Sequence, residues 1–250
     1  MIGLQKVNFI LVLLVLLCFS INIWANSADR ELIAEAGKAR ASLVKELLAT
    51  NSFEEGTLNA ALFAAIKRGS KDVTQILLDA GADVNARTNN SFTALIQASQ
   101  DGRHFVVEVL LEAGADVNAI APDENRVTAL MMASQTGRHE VVTLLLAANA
   151  NVNAYRADGM TPLMLASQEG HRRVVPLLID AKADLDASLD NGATALMIAS
   201  QHGHLSAIYA LIAAGANVNA QASNGITSVG LATRYRHQEA VKLLRDAGGK

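Results

Sequence analysis

Cysteine and tryptophan each occur once in this chain, as Cys18 and Trp24, and both fall within the first 27 residues. A domain that begins after them has no disulfide and no reactive thiol, so packing alone must hold it together. An excess of one charge is also missing. The net charge of -3 is spread along the chain with both signs mixed, which leaves no basic stripe for a phosphate backbone and no expectation of a nucleic-acid partner. No HExxH, no paired CxxC and no glycine-rich phosphate loop occurs, so no metal, cofactor or small-molecule substrate is expected. What the chain has in quantity is apolar residues, 51% against 18% charged, too many for a disordered protein and enough for a large core.

The first residues carry their own pattern. Phe9 to Phe19 is an unbroken apolar run, Lys6 is the only charge before Asp29, and small residues stand at Ala25 and Ser27. This is the pattern of a Sec-type signal peptide over residues 1–27, cut after Ala25 or Ser27. The apolar run is shorter than the roughly 20 residues that a spanning helix wants. An uncleaved membrane anchor is the other reading, and it puts the domain on the same side of the membrane. A periplasmic or secreted location is expected in both cases. Lipoprotein processing at Cys18 is disfavoured, because Leu17 and Phe19 lack the small side chains it needs.

Beyond the leader the chain is periodic. Gly69, Gly102, Gly137, Gly170 and Gly203 are spaced 33, 35, 33 and 33 residues apart, each inside the frame T-x-L-x-x-A-S-Q-x-G-[HR], an apolar run, then G-A-[DN]-V-N-A. In Thr194 to Gln201, Leu196 and Ala199 lie three apart on one helical face, with Ala thin enough for a neighbour to approach. Gly203 turns the chain, Leu205 to Ala214 runs back as a second helix, and Val218 to Gly225 predicts an extended hairpin. One such unit cannot bury both sides of its helices, so neighbours must stack.

The 33-residue period, the start Thr161-Pro162-Leu163, the pairs Gly170-His171 and Gly203-His204, and the repeated G-A-D-V-N-A resemble the ankyrin repeat. The resemblance implies an all-α solenoid of about six helix-turn-helix units joined by β-hairpin loops, spanning 56–250 after the signal peptide. The units fall near 56–88, 89–121, 122–156, 157–189, 190–222 and 223–250. Residues 28–55 lack the repeat glycine and the V-N-A, and are expected to form a degenerate N-terminal helical cap.

Two departures from the family pattern matter. The family often places histidine after T-P-L, where Ile96, Met131, Met164 and Met197 stand here, which shifts stability from a polar network to apolar packing. Pro176 lies several residues into a second helix, and predicts a kink or a late helix start.

The repeat absorbs most residues that look chemical. His171, His204 and His237 follow the turning position, and His104 and His139 come one residue later. Ser99, Ser134, Ser167 and Ser200 recur once per unit, which suits a small buried residue and not a nucleophile. Asp116 and Asn118 resemble half of a calcium loop whose remaining ligands are absent. No catalytic and no metal-ligating residue is assigned.

Candidate partner contacts remain. Gln100, Gln135, Gln168 and Gln201 fall in register at the end of the first helix, and stacking at 8–10 Å would line them up on a concave face. The bland alternative is a tolerated solvated position or a bond to the neighbouring unit. Phe92, Val127, Met160 and Ile226 precede the unit's Thr at the expected hairpin tips, with Tyr155 close to one tip; either they anchor a partner or they pack on adjacent hairpins. Two extra residues in Ile120 to Val127 predict a longer finger. The function expected is a monomeric, non-enzymatic module binding a protein partner. A stress-protective scaffold for an envelope enzyme, an immunity-type toxin inhibitor and an enzyme are the alternatives.

Overall fold

The structure, a computed structural model, describes residues 27–88, 90–121 and 126–250. The signal-peptide segment therefore lies outside the described residues except at its last position. So does the centre of the predicted finger, residues 122–125. The described residues form helices and no strand, and fall into two compact units, one ending at Ala86 and the other beginning at Arg87.

In the first unit, α1 (residues 27–37) and α2 (Ala41–Thr50) meet at a turn through Ala39, whose φ is 60°. Glu35 is buried in this turn region and takes Lys38 Nζ at 2.7 Å and Arg40 Nη1 at 3.0 Å. The Lys38 hydrogen bond, ahead of Arg40, holds its carboxyl below the usual glutamate range. α3 (Glu55–Arg68) and α4 (Lys71–Asp79) follow, separated by Gly69 and Ser70. The Ser70 hydroxyl accepts from Val73 N–H and caps α4. Both α2 and α3 pack on α4.

The second unit repeats one theme. Its first helices are α5 (Ala94–Gln100), α7 (Ala129–Gln135), α9 (Pro162–Gln168), α11 (Ala195–His202) and α13 (Ser228–Arg234). Each returns as α6 (His104–Glu112), α8 (His139–Ala147), α10 (Val174–Asp180), α12 (Leu205–Ala213) or α14 (Gln238–Asp246). First helices stack chiefly on first helices in succession and second helices likewise, with each pair packed together.

The repeated threonine explains why such short helices hold. Thr93, Thr128, Thr161, Thr194 and Thr227 each accept a hydrogen bond from the N–H three residues on, at 3.2–3.4 Å. A cap of this kind is worth about 1 kcal/mol. The leucine two residues later, Leu95, Leu130, Leu163 or Leu196, is at most 1% exposed. Ile96, Met131, Met164 and Met197 are buried as well, so the position where the family often has histidine is apolar core here. Each such side chain contributes roughly 1.5–3 kcal/mol by leaving water.

Pro176 takes the second of its two expected outcomes. The sibling helices begin two residues after the turning glycine, whereas α10 begins at Val174, four after Gly170. Pro176 then sits at the third helical position, whose N–H has no partner in any helix, and its ring costs no hydrogen bond.

The loops are tight hairpins with at most a single antiparallel bridge, as at Arg87 with Thr93 and Ser188 with Thr194. Their closing bonds recur: Thr88 N–H to Phe92 O at 2.9 Å, Arg156 N–H to Met160 O at 3.0 Å, Leu189 N–H to Ala193 O at 3.0 Å and Ala222 N–H to Ile226 O at 3.0 Å. The loop containing the expected finger closes in the same way, Ala121 N–H to Val127 O at 2.9 Å.

Candidate interaction surface

Two seams of polar contacts fix how the helix pairs of the second unit are placed, and so which side chains are left over. The hairpin seam uses the N of each V-N-A or its equivalent. Asn118 Oδ1 accepts from Asn151 N–H at 2.8 Å, Asn153 Oδ1 from Asp184 N–H at 2.8 Å, Asp186 Oδ1 from Asn217 N–H at 2.9 Å, and Asn219 Oδ1 from Lys250 N–H at 3.0 Å. Of the two residues that resembled half of a calcium loop, Asn118 thus binds backbone of the next pair, and Asp116 Oδ1 accepts from Asn118 N–H at 3.0 Å within its own hairpin. Among the described residues no cluster of three or more His, Cys, Asp or Glu is placed to hold a metal.

The second seam lies at the ends of the first helices. His171 Nε2–H donates to Gln135 O at 2.8 Å, His204 to Gln168 O at 2.9 Å and His237 to Gln201 O at 3.0 Å. Arg138 stands in the place of the histidine and reaches Gln100 O at 3.5 Å. The glutamine register is therefore bonded to the neighbouring pair, but through its backbone carbonyl. Gln168 Nε2 turns to Glu169 Oε1 at 3.1 Å. Gln100, Gln135, Gln168 and Gln201 are all half-buried.

The hairpin residues divide by burial. Val127 and Met160 are 8% and 6% exposed, so they belong to the packing of their hairpins and are not the exposed tips expected from sequence. The reason is the hairpin itself. The residue before the capping threonine has its carbonyl tied across the loop and so lies at the loop's closed base, not at its tip, at Val127 and Met160 as at Phe92 and Ile226. Phe92 and Ile226 are half-buried. Tyr155 is 59% exposed, and the Arg126 guanidinium stands 5.4 Å from its ring centroid, a cation–π contact. Arg156 and Asp158 form an ion pair in the same hairpin. The Arg156 hydrogen bond holds the Asp158 carboxyl below the usual aspartate range.

Gln201 and Ile226 both line a groove of about 270 Å³. Its lining includes Met197, Leu231, Arg234 and Tyr235 at the helices α11 and α13, and the two hairpins at Asn191 and Asn224. The remaining expected residues do not line this groove. Leu231, Arg234 and Tyr235 were missed in the sequence. Leu231 occupies a register shared by Met132, Leu165 and Ile198, and residues three and four apart share a helical face. A column of apolar residues four positions after Thr128, Thr161, Thr194 and Thr227 was the available signal, masked by its likeness to the core column beside it.

The match to known families follows the same periodicity. The profile of ankyrin repeats, in three copies, matches residues 32–121, 119–188 and 177–250. The chain belongs to the ankyrin-repeat family. Ankyrin repeats are in general protein-interaction modules and typically non-enzymatic scaffolds. No curated protein matches the chain. No described helix is long and apolar enough to cross a membrane.

Proposed function

We propose that this chain is a non-enzymatic binding module that holds one protein partner along the ends of its first helices and its hairpin loops, on the far side of the cytoplasmic membrane. The observation that carries the reading is the groove that joins Gln201 and Ile226. It draws on two helix pairs at once and offers half-buried apolar surface rimmed by unused polar groups, the composition of a binding site rather than of an idle surface. The glutamine register, Phe92 and Tyr155 extend the same surface toward the other pairs. About six repeat units behind an N-terminal cap, acting as a monomer, provide the support.

Photo-crosslinking tests where the partner sits. A benzophenone amino acid in place of Gln168 should capture a partner in the compartment where the protein acts, and the same group in place of Phe105, exposed on α6, should not. Equal capture from both positions would remove the reading. The location is checked separately, by fusing residues 1–27 to a phosphatase that folds only outside the cytoplasm. An inactive fusion would place the protein inside.

A further inference from the structure

The groove between α11, α13 and their hairpins offers a partner hydrogen-bond donors and one kind of charge. Arg234 is the only charged side chain in its lining, is exposed, and forms no ion pair with any described residue. The amides of the two hairpin asparagines add donors to this charge. Asn191 Oδ1 is taken by Ala193 N–H at 3.0 Å and Asn224 Oδ1 by Ile226 N–H at 3.1 Å, so each has its Nδ2 donor left. The two hairpins are tied to each other by Ser223 N–H to Asn191 O at 2.8 Å, which sets the donors at a fixed separation before any ligand arrives.

The end of α13 also departs from its siblings. The preceding first helices end in Gln100-Asp101-Gly102, Gln135-Thr136-Gly137, Gln168-Glu169-Gly170 and Gln201-His202-Gly203, and α13 ends in Arg234-Tyr235-Arg236. All three of these are exposed, Tyr235 to 48%. Arg236 even keeps the glycine's backbone, with φ at 63°, a conformation that costs a non-glycine residue of order 1–3 kcal/mol. The register thus changes from neutral or acidic in the four preceding helices to doubly cationic, beside an aromatic ring, at the end of α13; α3, in the first unit, also ends in two cations, Lys67 and Arg68.

Resting on the binding role proposed above, we propose that this groove takes an acidic, extended segment of a protein partner. A carboxylate pairs with Arg234, neighbouring peptide carbonyls accept from the asparagine Nδ2 groups, and an apolar side chain lies on Leu231, Ile226 and Tyr235. A guanidinium binds a carboxylate through two parallel N–H···O bonds, which orients the segment as well as attracting it.

The test is a titration of the protein with fluorescein-labelled peptides, Glu-Leu-Glu-Phe-Glu and its lysine counterpart Lys-Leu-Lys-Phe-Lys, followed by anisotropy. The acidic peptide should bind, the lysine peptide should not, and Arg234→Gln should weaken binding by about tenfold or more with the melting temperature unchanged. Phe105→Ala, exposed on α6 and away from the groove, should leave binding as it was. Absence of acidic-peptide binding, equal binding of both peptides, or binding indifferent to Arg234→Gln overturns the proposal. Arg234-dependent binding to phosphatidylglycerol vesicles without peptide binding also overturns it, in favour of a lipid headgroup. If Gln168 crosslinks a partner while the acidic peptide is ignored, the broader binding surface stands and the acidic anchor alone falls.

Discussion

The imidazole of His204 lies over Gly170. A Cβ on that glycine would come within 2.5 Å of the ring, whose Nε2–H reaches Gln168 O two residues earlier. The φ of Gly170 is 69°, so the position excludes other residues twice, by backbone conformation and by the next pair's side chain.

Gly170→Ala is therefore expected to cost about 3 kcal/mol, from strain at positive φ and displacement of the ring. Gly114→Ala isolates the first contribution, because its φ is 85° with nothing within 4 Å of the added carbon, and should cost about 1–2 kcal/mol. Urea denaturation of both variants measures the difference. Equal costs would mean that the histidine yields freely.

Lys182 occupies the place that Gly114 and Gly215 fill in other pairs, with φ at 66°. Lys182→Gly should stabilise the protein by about 0.5–1 kcal/mol, relief of strain outweighing the added freedom of the unfolded chain. Thermal unfolding should show a rise of roughly 2–4 °C per kcal/mol.

The buried serines separate into two kinds. Ser200 Oγ–H donates to Leu196 O at 2.6 Å, while Ser99, Ser134 and Ser167 Oγ have no partner. Ser134→Ala should stabilise by about 1 kcal/mol by removing a buried hydroxyl without a bond, and Ser200→Ala should be neutral or destabilising by about the same amount. A stabilisation seen equally at both sites would show that the Leu196 bond contributes nothing.

Asp158 has its carboxyl pKa lowered by Arg156, so its contribution is present above the unfolded aspartate pKa and disappears as pH falls through the folded one. Its side chain is 51% exposed, which limits the pair to a few tenths of a kcal/mol. Asp158→Asn should thus be slightly less stable than wild type at neutral pH. The two denaturation curves should merge in acid, below the ordinary aspartate range, and shift closer in high salt.

Much of this architecture was legible because threonine, leucine, alanine and glycine recur where each does one local job. Thr194 caps, Leu196 fills the core and Gly203 turns the chain, and none of the three needs distant information to be recognised. The binding surface was less legible. Val127 and Met160 looked like exposed tips, since burial of a hairpin side chain depends on how the loop folds over and not on its neighbours in sequence. The glutamines stood out as side chains although their carbonyls make the seam, and a backbone acceptor leaves no trace in residue identity. Leu231 was hidden among core leucines. Arg234 carries no mark in the sequence, and only the groove shows that it shares a lining with Ile226 and Asn191.

The two polar seams join each helix pair only to the next, so under a stretching force they carry load one after another rather than together. The tension the second unit withstands between Arg87 and Lys250 would then be set by its weakest junction, not by the sum of its bonds. The long Arg138 contact, which stands in for a histidine, marks the junction of its pair with the preceding one as the place to yield first. Each released pair of about 33 residues would lengthen the chain by roughly 110 Å, a step readable in a single-molecule pulling trace.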